Sequence, residues 1–416
     1  MKNLLSDSFK DLLYYKKEVG DTLTLFSSQI LMLFIGLGIK SIQVRALDPA
    51  EYGLLALFGT ITTVIVLFFH YASFSSLKVI LANNTDKKIE KELIGLGIKI
   101  AALLGIIFSG LLCLVSFFID DLFNVEIGNL LILLSPLCFI LPFQFFISEV
   151  SIGSNRLKTL SFFHLFSRIL FIVSLFVCWY GDLLDVKIII IINLLSWFVS
   201  TLITLISFKP SFSNHNSNLK LVRDKNKSFG YSYYFGAIVN QSTYKLDEIF
   251  ITYFINITQL GFYTLASIIC SPMTFLSRAF INSIFKKLAF KDRIPIRVFL
   301  YNTIWLILCV MFLYLSSDYI VSTLFGDEYI KVSSYIFPLS LAFFFQGMYA
   351  PFSFLAVKSK GTELRNVAYI EAVTNVIGNI VLVPIYLVEG AIYASIISRF
   401  IHLLGLLYYY NKMIKL

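Results

Sequence analysis

Charged and polar side chains within long apolar stretches are the residues of this chain that could do chemistry. Lys245, Asp247 and Glu248 lie together in one such stretch, and Glu371 and Asn375 follow one another at helical spacing in another. A charge at the centre of a membrane-spanning helix is costly, so it usually faces a cavity or a partner. These residues predict a polar cavity inside a membrane protein. The alternative is a set of buried ion pairs and hydrogen bonds that only hold helices together.

The deep residues divide into two candidate sites by the sign of their charge. Basic groups would attract an anion such as a phosphate, whereas acidic groups could bind and release a proton or Na⁺ during transport. Lys40 and Arg278 lie nearer the ends of their apolar stretches, where snorkelling to the interface is the alternative. The candidate anion-binding residues are Arg168, Lys245, Arg399, Lys40 and Arg278, and the candidate coupling and polar-cavity residues are Asp247, Glu248, Glu371 and Asn375.

Signals for catalysis and for metal binding are missing from the sequence. The five Cys all fall in apolar stretches without CxxC spacing, and the four His have no metal-ligand spacing. No P-loop, GxSxG or dinucleotide-binding pattern occurs in the right context. We therefore predict a protein that is not an enzyme, with no catalytic residues, no metal site and no cofactor other than a coupling H⁺ or Na⁺.

The composition indicates what must position these side chains. Apolar residues make up 58% of the 416 residues and charged residues only 14%, whereas soluble domains have roughly 45–50% and 25%. Helical spans of about 20 residues account for this excess. The sequence predicts twelve of them, at 22–44, 53–77, 93–119, 128–152, 159–180, 186–208, 231–255, 259–284, 298–317, 332–357, 364–388 and 390–411.

Lysine and arginine are distributed unequally between the two sides of these spans. One set of gaps, with both tails, holds 25 of them, and the opposite set holds 3. This bias predicts cytoplasmic termini and explains the net charge of +9 without a nucleic-acid partner. The predicted organisation is a cytoplasmic segment 1–21, a six-helix bundle 22–208, a cytoplasmic linker 209–230, a second six-helix bundle 231–411 and a cytoplasmic tail 412–416.

Two short motifs recur in the two halves of the chain. EYGLLALF at 51–58 matches QLGFYTLA at 259–266, and PLCFILPFQ at 136–144 matches PLSLAFFFQ at 338–346, at similar offsets. Each half has an even number of spans, so the halves run in the same orientation. We expect them to be related by a pseudo-two-fold axis along the membrane normal, with a substrate site between them.

Two segments resemble a known family. RALDPAEYGLLALFGTI (45–61) is similar to the L-G-P-x-E-Y-G stretch of bacterial polysaccharide and O-antigen flippases, with Asp48 where that family usually has Gly. KLDEIFITYFINITQLGFYTLA (245–266) resembles the matching piece of the second half, with Asp247 at the family's usual Asp. The family belongs to the multidrug/oligosaccharidyl-lipid/polysaccharide exporter superfamily. The resemblance implies a V-shaped, all-α fold of two bundles that works by alternating access.

The resemblance also implies a function. Such a protein moves undecaprenyl-diphosphate-linked oligosaccharide, for O-antigen or another surface polysaccharide, from the inner to the outer leaflet of the bacterial inner membrane. Its partners would be this lipid-linked substrate, membrane lipids and other polysaccharide-assembly proteins. The alternatives are a cation-coupled drug antiporter of the same superfamily and a membrane enzyme, an O-antigen polymerase or ligase. Asp247 is the first candidate for coupling, against a permanent Lys245–Asp247 pair that only stabilises the fold.

Overall fold

A computed structural model of the chain describes residues 31–69, 72–84, 86–275, 277–278, 281, 293–352, 354–355 and 361–415. Every regular element within these residues is helical. The predicted segment 1–21 and the first residues of the first span lie outside the described part of the chain. So does most of the gap that follows the span 259–284.

Fourteen labelled helices account for most of the described residues. The first comprises 31–46 and is called α1. The others are α2 Pro49–Leu67, α3 Ala72–Ala82, α4 Lys87–Phe123, α5 Gly128–Cys138, α6 Leu141–Gly153, α7 Leu157–Tyr180, α8 Val186–Phe208, α9 His215–Lys225, α10 Tyr231–Phe254, α11 Ile257–Cys270, α12 Ile296–Phe325, α13 Val332–Gly347 and α14 Gly361–Lys415. Short 3₁₀ turns follow α12 at Asp327–Tyr329 and α13 at Ala350–Phe352.

Within the described residues, each of the twelve predicted spans contains helix, which confirms the prediction of an all-α, multi-pass membrane protein. Of the described helical stretches, seven are long and apolar enough to cross a membrane. The longest, α14, contains two predicted spans. Leu387 has a left-handed φ of 56° and divides α14 into two arms.

Three predicted spans are not the single rods that the sequence predicts. Span 53–77 is split between α2 and α3, and span 128–152 between α5 and α6. The second break lies between Pro136 and Pro142, each of which removes a backbone donor and so interrupts the helical ladder. Span 332–357 leaves the α-helix at Gly347.

The predicted linker 209–230 contains a helix that the sequence analysis does not predict. After α9, a π-helical turn at Asn226–Gly230 leads directly into α10. Asn218, Val222 and Asn226 recur every four residues and form the buried face of this segment. Two of these three residues are amides, so the apolar periodicity is too weak to reveal the helix.

The described chain divides into two compact units. Unit 1 comprises Phe69–Cys113 and Ile132–Tyr234 together with α1 up to Ile39. Its apolar core brings together α3, α4, α6, α7 and α8, with Phe146 and Phe163 fully buried at its centre. The predicted division of the chain at 209–230 stays a prediction.

Unit 2 comprises Lys40–Phe68, Leu114–Leu131 and Phe235–Leu416. In it α2 packs on α11, and α13 packs on α11, α12 and α14. Gly53 and Gly261, which are equivalent positions of the recurring motif, face each other across the α2–α11 contact. A Cβ built on Gly261 would lie 3.3 Å from Gly53 Cα, and one on Gly53 only 2.2 Å from the Ile257 carbonyl oxygen.

Capping and turn contacts fix the start of α2 in unit 2. Asp48 Oδ1 accepts from the backbone N–H groups of Ala50 and Glu51, both at 2.8 Å, and Glu51 Oε2 accepts from Asp48 N at 3.1 Å. This is a capping box. Tyr329 donates to the Leu47 carbonyl at 2.8 Å. Burial raises the pKa of the Tyr329 phenol, so the group stays protonated and keeps donating.

Candidate functional site

Asp247 lies on α10 with only 2% of its surface exposed. Its carboxylate accepts four hydrogen bonds, two on each oxygen. Asn375 and Asn379 donate to Oδ1 at 3.0 and 2.7 Å. Tyr263 and Ser395 donate to Oδ2 at 2.7 and 2.5 Å. A buried carboxylate is thus held by uncharged donors alone, among the described residues.

Two helices, α11 and the two arms of α14, bring these donors to Asp247. Tyr263 comes from α11, Asn375 and Asn379 from the first arm of α14, and Ser395 from its second arm. The two asparagines are one helical turn apart, so their side chains share a face. Asn379 Nδ2 also bonds the Asn375 carbonyl at 2.9 Å, whereas the buried Asn379 Oδ1 has no hydrogen-bond partner in the described structure.

Glu248 follows Asp247 in sequence but has different partners. Lys245 Nζ lies 2.6 Å from Glu248 Oε1, and the Thr60 hydroxyl of α2 donates to Glu248 Oε2. Successive residues of a helix point about 100° apart, which separates the two neighbouring carboxylates. Lys245 therefore pairs with Glu248 rather than with Asp247. The alternative, that the Lys245–Asp247 region only stabilises the fold, stays a prediction.

A second polar cluster links the two arms of α14. His402 Nδ1 lies 2.5 Å from Glu371 Oε2, and the Tyr349 ring stacks on the imidazole with centroids 4.1 Å apart. The Tyr349 hydroxyl donates to Glu371 Oε1 at 3.3 Å and to the Arg399 carbonyl at 2.8 Å. The Arg399 guanidinium is buried over the Phe343 ring, 4.8 Å from its centroid.

The five predicted basic residues have separate environments. Lys40 donates to Gln43 at 3.0 Å and lies 5.3 Å from the centre of the Tyr52 ring. Arg278 is exposed and lines a cavity of about 330 Å³, which His402 also lines. Arg168 is exposed on α7 of unit 1, whereas Lys40, Lys245, Arg278 and Arg399 all belong to unit 2. A shared cavity lined by Arg168, Lys245 and Arg399 stays a prediction.

Helical spacing identifies part of this site and misses the rest. Glu371 and Asn375 are both buried, as their spacing indicates. Tyr263 and Tyr349 are absent from the predicted site because each reaches its carboxylate from a different helix or turn. One signal for Tyr263 is available in retrospect, since it is a polar aromatic side chain facing inward at 4% exposure.

The geometry suits exchange of a cation. A proton or a small cation could bind at this buried carboxylate, because all four of its hydrogen-bond donors are uncharged. Hydroxyl and amide side chains can turn their oxygen atoms toward such a cation. Glu248 already has a cationic partner in Lys245.

A model of the polysaccharide biosynthesis protein family matches residues 19–286. The chain belongs to this family. No curated protein matches it by sequence. Among solved structures, the fold of this family member is similar to that of the inward closed conformation of the lipid II flippase MurJ, with a TM-score of 0.66 and 15% identity over 94% of this chain and 89% of that one.

Multidrug transporters share the fold as well. An inward-facing MATE family transporter of the MOP superfamily gives a TM-score of 0.72 at 13% identity, over 95% of this chain and 99% of that one. A mutant of the Vibrio cholerae MATE transporter VcmN gives 0.64 at 13% identity, over 95% and 98%. This polysaccharide biosynthesis protein therefore has the fold of MOP superfamily membrane transporters.

Proposed function

We propose that this protein is a flippase for lipid-diphosphate-linked oligosaccharides in the assembly of O-antigen or another surface polysaccharide. The observation that carries the proposal is the combination of a polysaccharide biosynthesis family with a fold shared with a lipid II flippase. A lipid II flippase moves a lipid-linked sugar, which is the chemical class that the family resemblance implies. The substrate would pass from the inner to the outer leaflet by alternating access.

Exposed basic residues are the better candidates for the anionic part of the substrate. Lys245 already forms an ion pair with Glu248, so it attracts a further anion less strongly. Arg278 and Arg168 are exposed, and neither has an ion-pair partner in the described part of the chain. A guanidinium can bind a phosphate through two parallel hydrogen bonds. Arg278 of unit 2 is therefore proposed as a diphosphate contact, and Arg168 of unit 1 is proposed as a separate candidate. Lys40, Lys245 and Arg399 stay candidate anion-binding residues of unit 2.

Asp247 is proposed as the residue that couples transport to an ion gradient. Its four neutral donors belong to α11 and to the two arms of α14. They would separate if these elements move, which would change how strongly the carboxylate binds H⁺ or Na⁺. Differential affinity of this kind is the condition for coupling. Glu371 is the second candidate.

A reconstituted assay tests the function directly. Purified protein in liposomes should move a fluorescent lipid-diphosphate oligosaccharide between leaflets, and deletion of the gene should accumulate the lipid-linked sugar in the inner leaflet. Equal movement in protein-free liposomes, or no accumulation on deletion, would contradict the proposal. Arg278→Ala and Arg168→Ala should slow the movement while the protein still inserts in the membrane.

A cation-coupled drug antiporter is the second candidate, because multidrug transporters share the fold over 95% of this chain. The same liposomes can be tested with a cationic dye. Movement of the dye but not of the lipid-linked sugar would favour the antiporter. Polymerase or ligase activity would appear as extended or transferred sugar chains, which a flippase does not make.

The excess of Lys and Arg on one side of the predicted spans supports an orientation in the bacterial inner membrane with both termini in the cytoplasm. Green fluorescent protein fused after Leu416 should fluoresce, and alkaline phosphatase fused there should be inactive. The opposite pair of results would contradict the twelve-span topology.

A further inference from the structure

Glu371 and His402 form a buried acid–base contact between the two arms of α14. Their side chains are 7% and 12% exposed, and the carboxylate oxygen lies 2.5 Å from the imidazole Nδ1. The contact has the distance of an ion pair without the geometry of a hydrogen bond, since His402 Nδ1 has no hydrogen-bond partner in the described structure. Two groups this close interact directly through their charges, so the charge on one affects proton binding by the other.

Proton gain at this pair follows from simple chemistry. A neutral imidazole beside a carboxylate carries a net charge of −1. Addition of H⁺ to the free ring nitrogen Nε2 gives imidazolium and carboxylate, with a net charge of zero. Histidine is the side chain whose charge ordinarily changes near neutral pH. Two coupled groups of this kind titrate as a pair rather than separately.

The pair also has a route for the proton. His402 lines the cavity of about 330 Å³ together with Arg278, Tyr349 and Leu364. Leu364 belongs to the first turn of α14, so the cavity lies toward that end of the helix. Asn375, which donates to Asp247, is one turn beyond Glu371 in the opposite direction. The pair thus lies between a cavity and the Asp247 cluster.

Other charged groups surround the pair and will bias its titration. Tyr349 stacks on the ring and bonds Glu371. The other titratable and charged residues near the pair are Arg278 at the cavity, Arg399 on the same arm as His402, and Asp247 with Tyr263 toward the other end.

We propose that Glu371 and His402 together form a proton-binding site of unit 2, distinct from Asp247, which exchanges its proton through the cavity lined by Arg278. This site deepens the proposed transport function by supplying protons next to the coupling carboxylate. A static role, in which the pair only joins the arms of α14, would keep one protonation state at all working pH values.

Histidine ¹⁵N NMR of the protein in lipid bilayers tests the proposal without any transport. Replacing the other three histidines gives a variant, His70→Gln/His164→Gln/His215→Gln, in which His402 is the single imidazole. Its ring signals should change from the neutral to the protonated pattern between about pH 5 and about pH 9. A ring that keeps one pattern through this range would overturn the proposal.

Coupling to Glu371 is tested in the same background. Glu371→Gln should move the midpoint of the His402 titration by at least about tenfold in proton concentration, because the ionised partner is gone. Glu149→Gln is the matched control, since Glu149 is a buried carboxylate of unit 1 that pairs with Lys78. An unchanged midpoint in Glu371→Gln, or an equal shift in Glu149→Gln, would contradict the pairing.

Flux measurements then separate this site from the proposed function. At equal pH on both sides of the liposome, His402→Gln should flatten the pH profile of substrate movement while the wild type keeps a pH-dependent rate. A wild type that titrates at His402 but moves no substrate contradicts the flippase alone. A wild type that moves substrate with no titration of His402 contradicts only the proton site.

Discussion

Two buried carboxylates, Glu149 of unit 1 and Asp247 of unit 2, are held by different kinds of partner. Glu149 lies 2.7 Å from the Lys78 ammonium. Asp247 has four hydrogen-bond donors, all of them uncharged. Glu149 therefore has a cationic partner in direct contact, whereas the groups in direct contact with the Asp247 carboxylate are neutral.

This difference bears on which carboxylate could change its partners during a conformational change. A neutral pair between helices resists change, because separating two buried charges leaves both of them exposed to an apolar environment. A carboxylate held by hydroxyl and amide groups can lose one donor at a time at a cost of about 1–3 kcal/mol each. We therefore propose Asp247, rather than the ion-paired Glu149, as the carboxylate that a conformational change switches.

Replacing Asp247 by asparagine should have the largest effect, namely loss of the response of transport to an ion gradient. A gradient of one pH unit is worth about 1.4 kcal/mol per proton, which is about tenfold in substrate accumulation. Asp247→Asn should lose that whole response while substrate still binds, because the amide carries no exchangeable charge. Accumulation in liposomes under an imposed pH or Na⁺ gradient, with binding measured separately, provides the test.

Glu149→Gln in unit 1 is the control for this prediction. It removes a buried carboxylate of similar exposure, and it should lower the thermal stability while the gradient response survives. If Asp247→Asn keeps a full response, Asp247 is not the coupling residue. If Glu149→Gln loses the response as well, the assignment of coupling to unit 2 is wrong.

Close helix packing in unit 2 provides the second prediction. A Cβ on Gly53 would lie 2.2 Å from the Ile257 carbonyl oxygen, so Gly53→Ala must push α2 away from α11. Overpacking of this kind costs about 1–3 kcal/mol, which should appear as a clear fall in the midpoint of thermal unfolding in detergent.

Gly59 on the same helix provides the matched control. A Cβ there has nothing within 4 Å, and alanine in a helix is more favourable than glycine by about 1 kcal/mol. Gly59→Ala should therefore leave the unfolding midpoint unchanged or raise it. An equal fall in both variants would mean that helix propensity or insertion, rather than the α2–α11 contact, sets the effect.

The sequence predicts the helices of this fold well and the contacts of the site only in part. Apolar stretches of about 20 residues are a strong local signal, so the described part of each predicted span contains helix. The break near Phe139 and the helix α9 depend on proline placement and on a face made of amides, which hydropathy does not register. Asp247 and Asn375 stand out as polar residues in apolar helices.

Long-range contacts explain what the sequence could not predict at the site. Tyr263 and Ser395 reach Asp247 from sequence separations of 16 and 148 residues, and only the packing of α10, α11 and α14 brings them together. Lys245 is a local neighbour of both carboxylates, and its choice of Glu248 depends on which face of α10 each side chain occupies. Spacing alone leaves that choice open.

Removal of a single hydrogen-bond donor to Asp247 should have a smaller effect than removal of the carboxylate itself. Ser395→Ala deletes the 2.5 Å hydrogen bond to Asp247 Oδ2, and a bond to a charged group contributes about 1.5 kcal/mol, or about tenfold in an equilibrium constant. The pH or Na⁺ dependence of transport should shift by about this factor. Ser196→Ala in unit 1 deletes a hydroxyl that bonds its own helix at 2.7 Å and should leave that dependence unchanged. A shift in both variants, or in neither, would contradict the role of Ser395.

The smallest expected effect concerns the helix caps, where the two units should behave alike. Asp48 in unit 2 and Asp185 in unit 1 both cap a helix, with Asp185 accepting from Ile188 N at 2.6 Å. Loss of such a cap costs about 1 kcal/mol when alanine replaces it but only a few tenths when glycine does. Asp48→Ala and Asp185→Ala should therefore lower the unfolding midpoint slightly and equally, and Asp48→Gly should scarcely lower it. The family usually has Gly where this chain has Asp48, which is understandable if either residue lets the chain enter α2 from an extended conformation. A large loss in Asp48→Gly would show instead that the capping box with Glu51 is a specific requirement of unit 2, and the parallel between the two caps would fail.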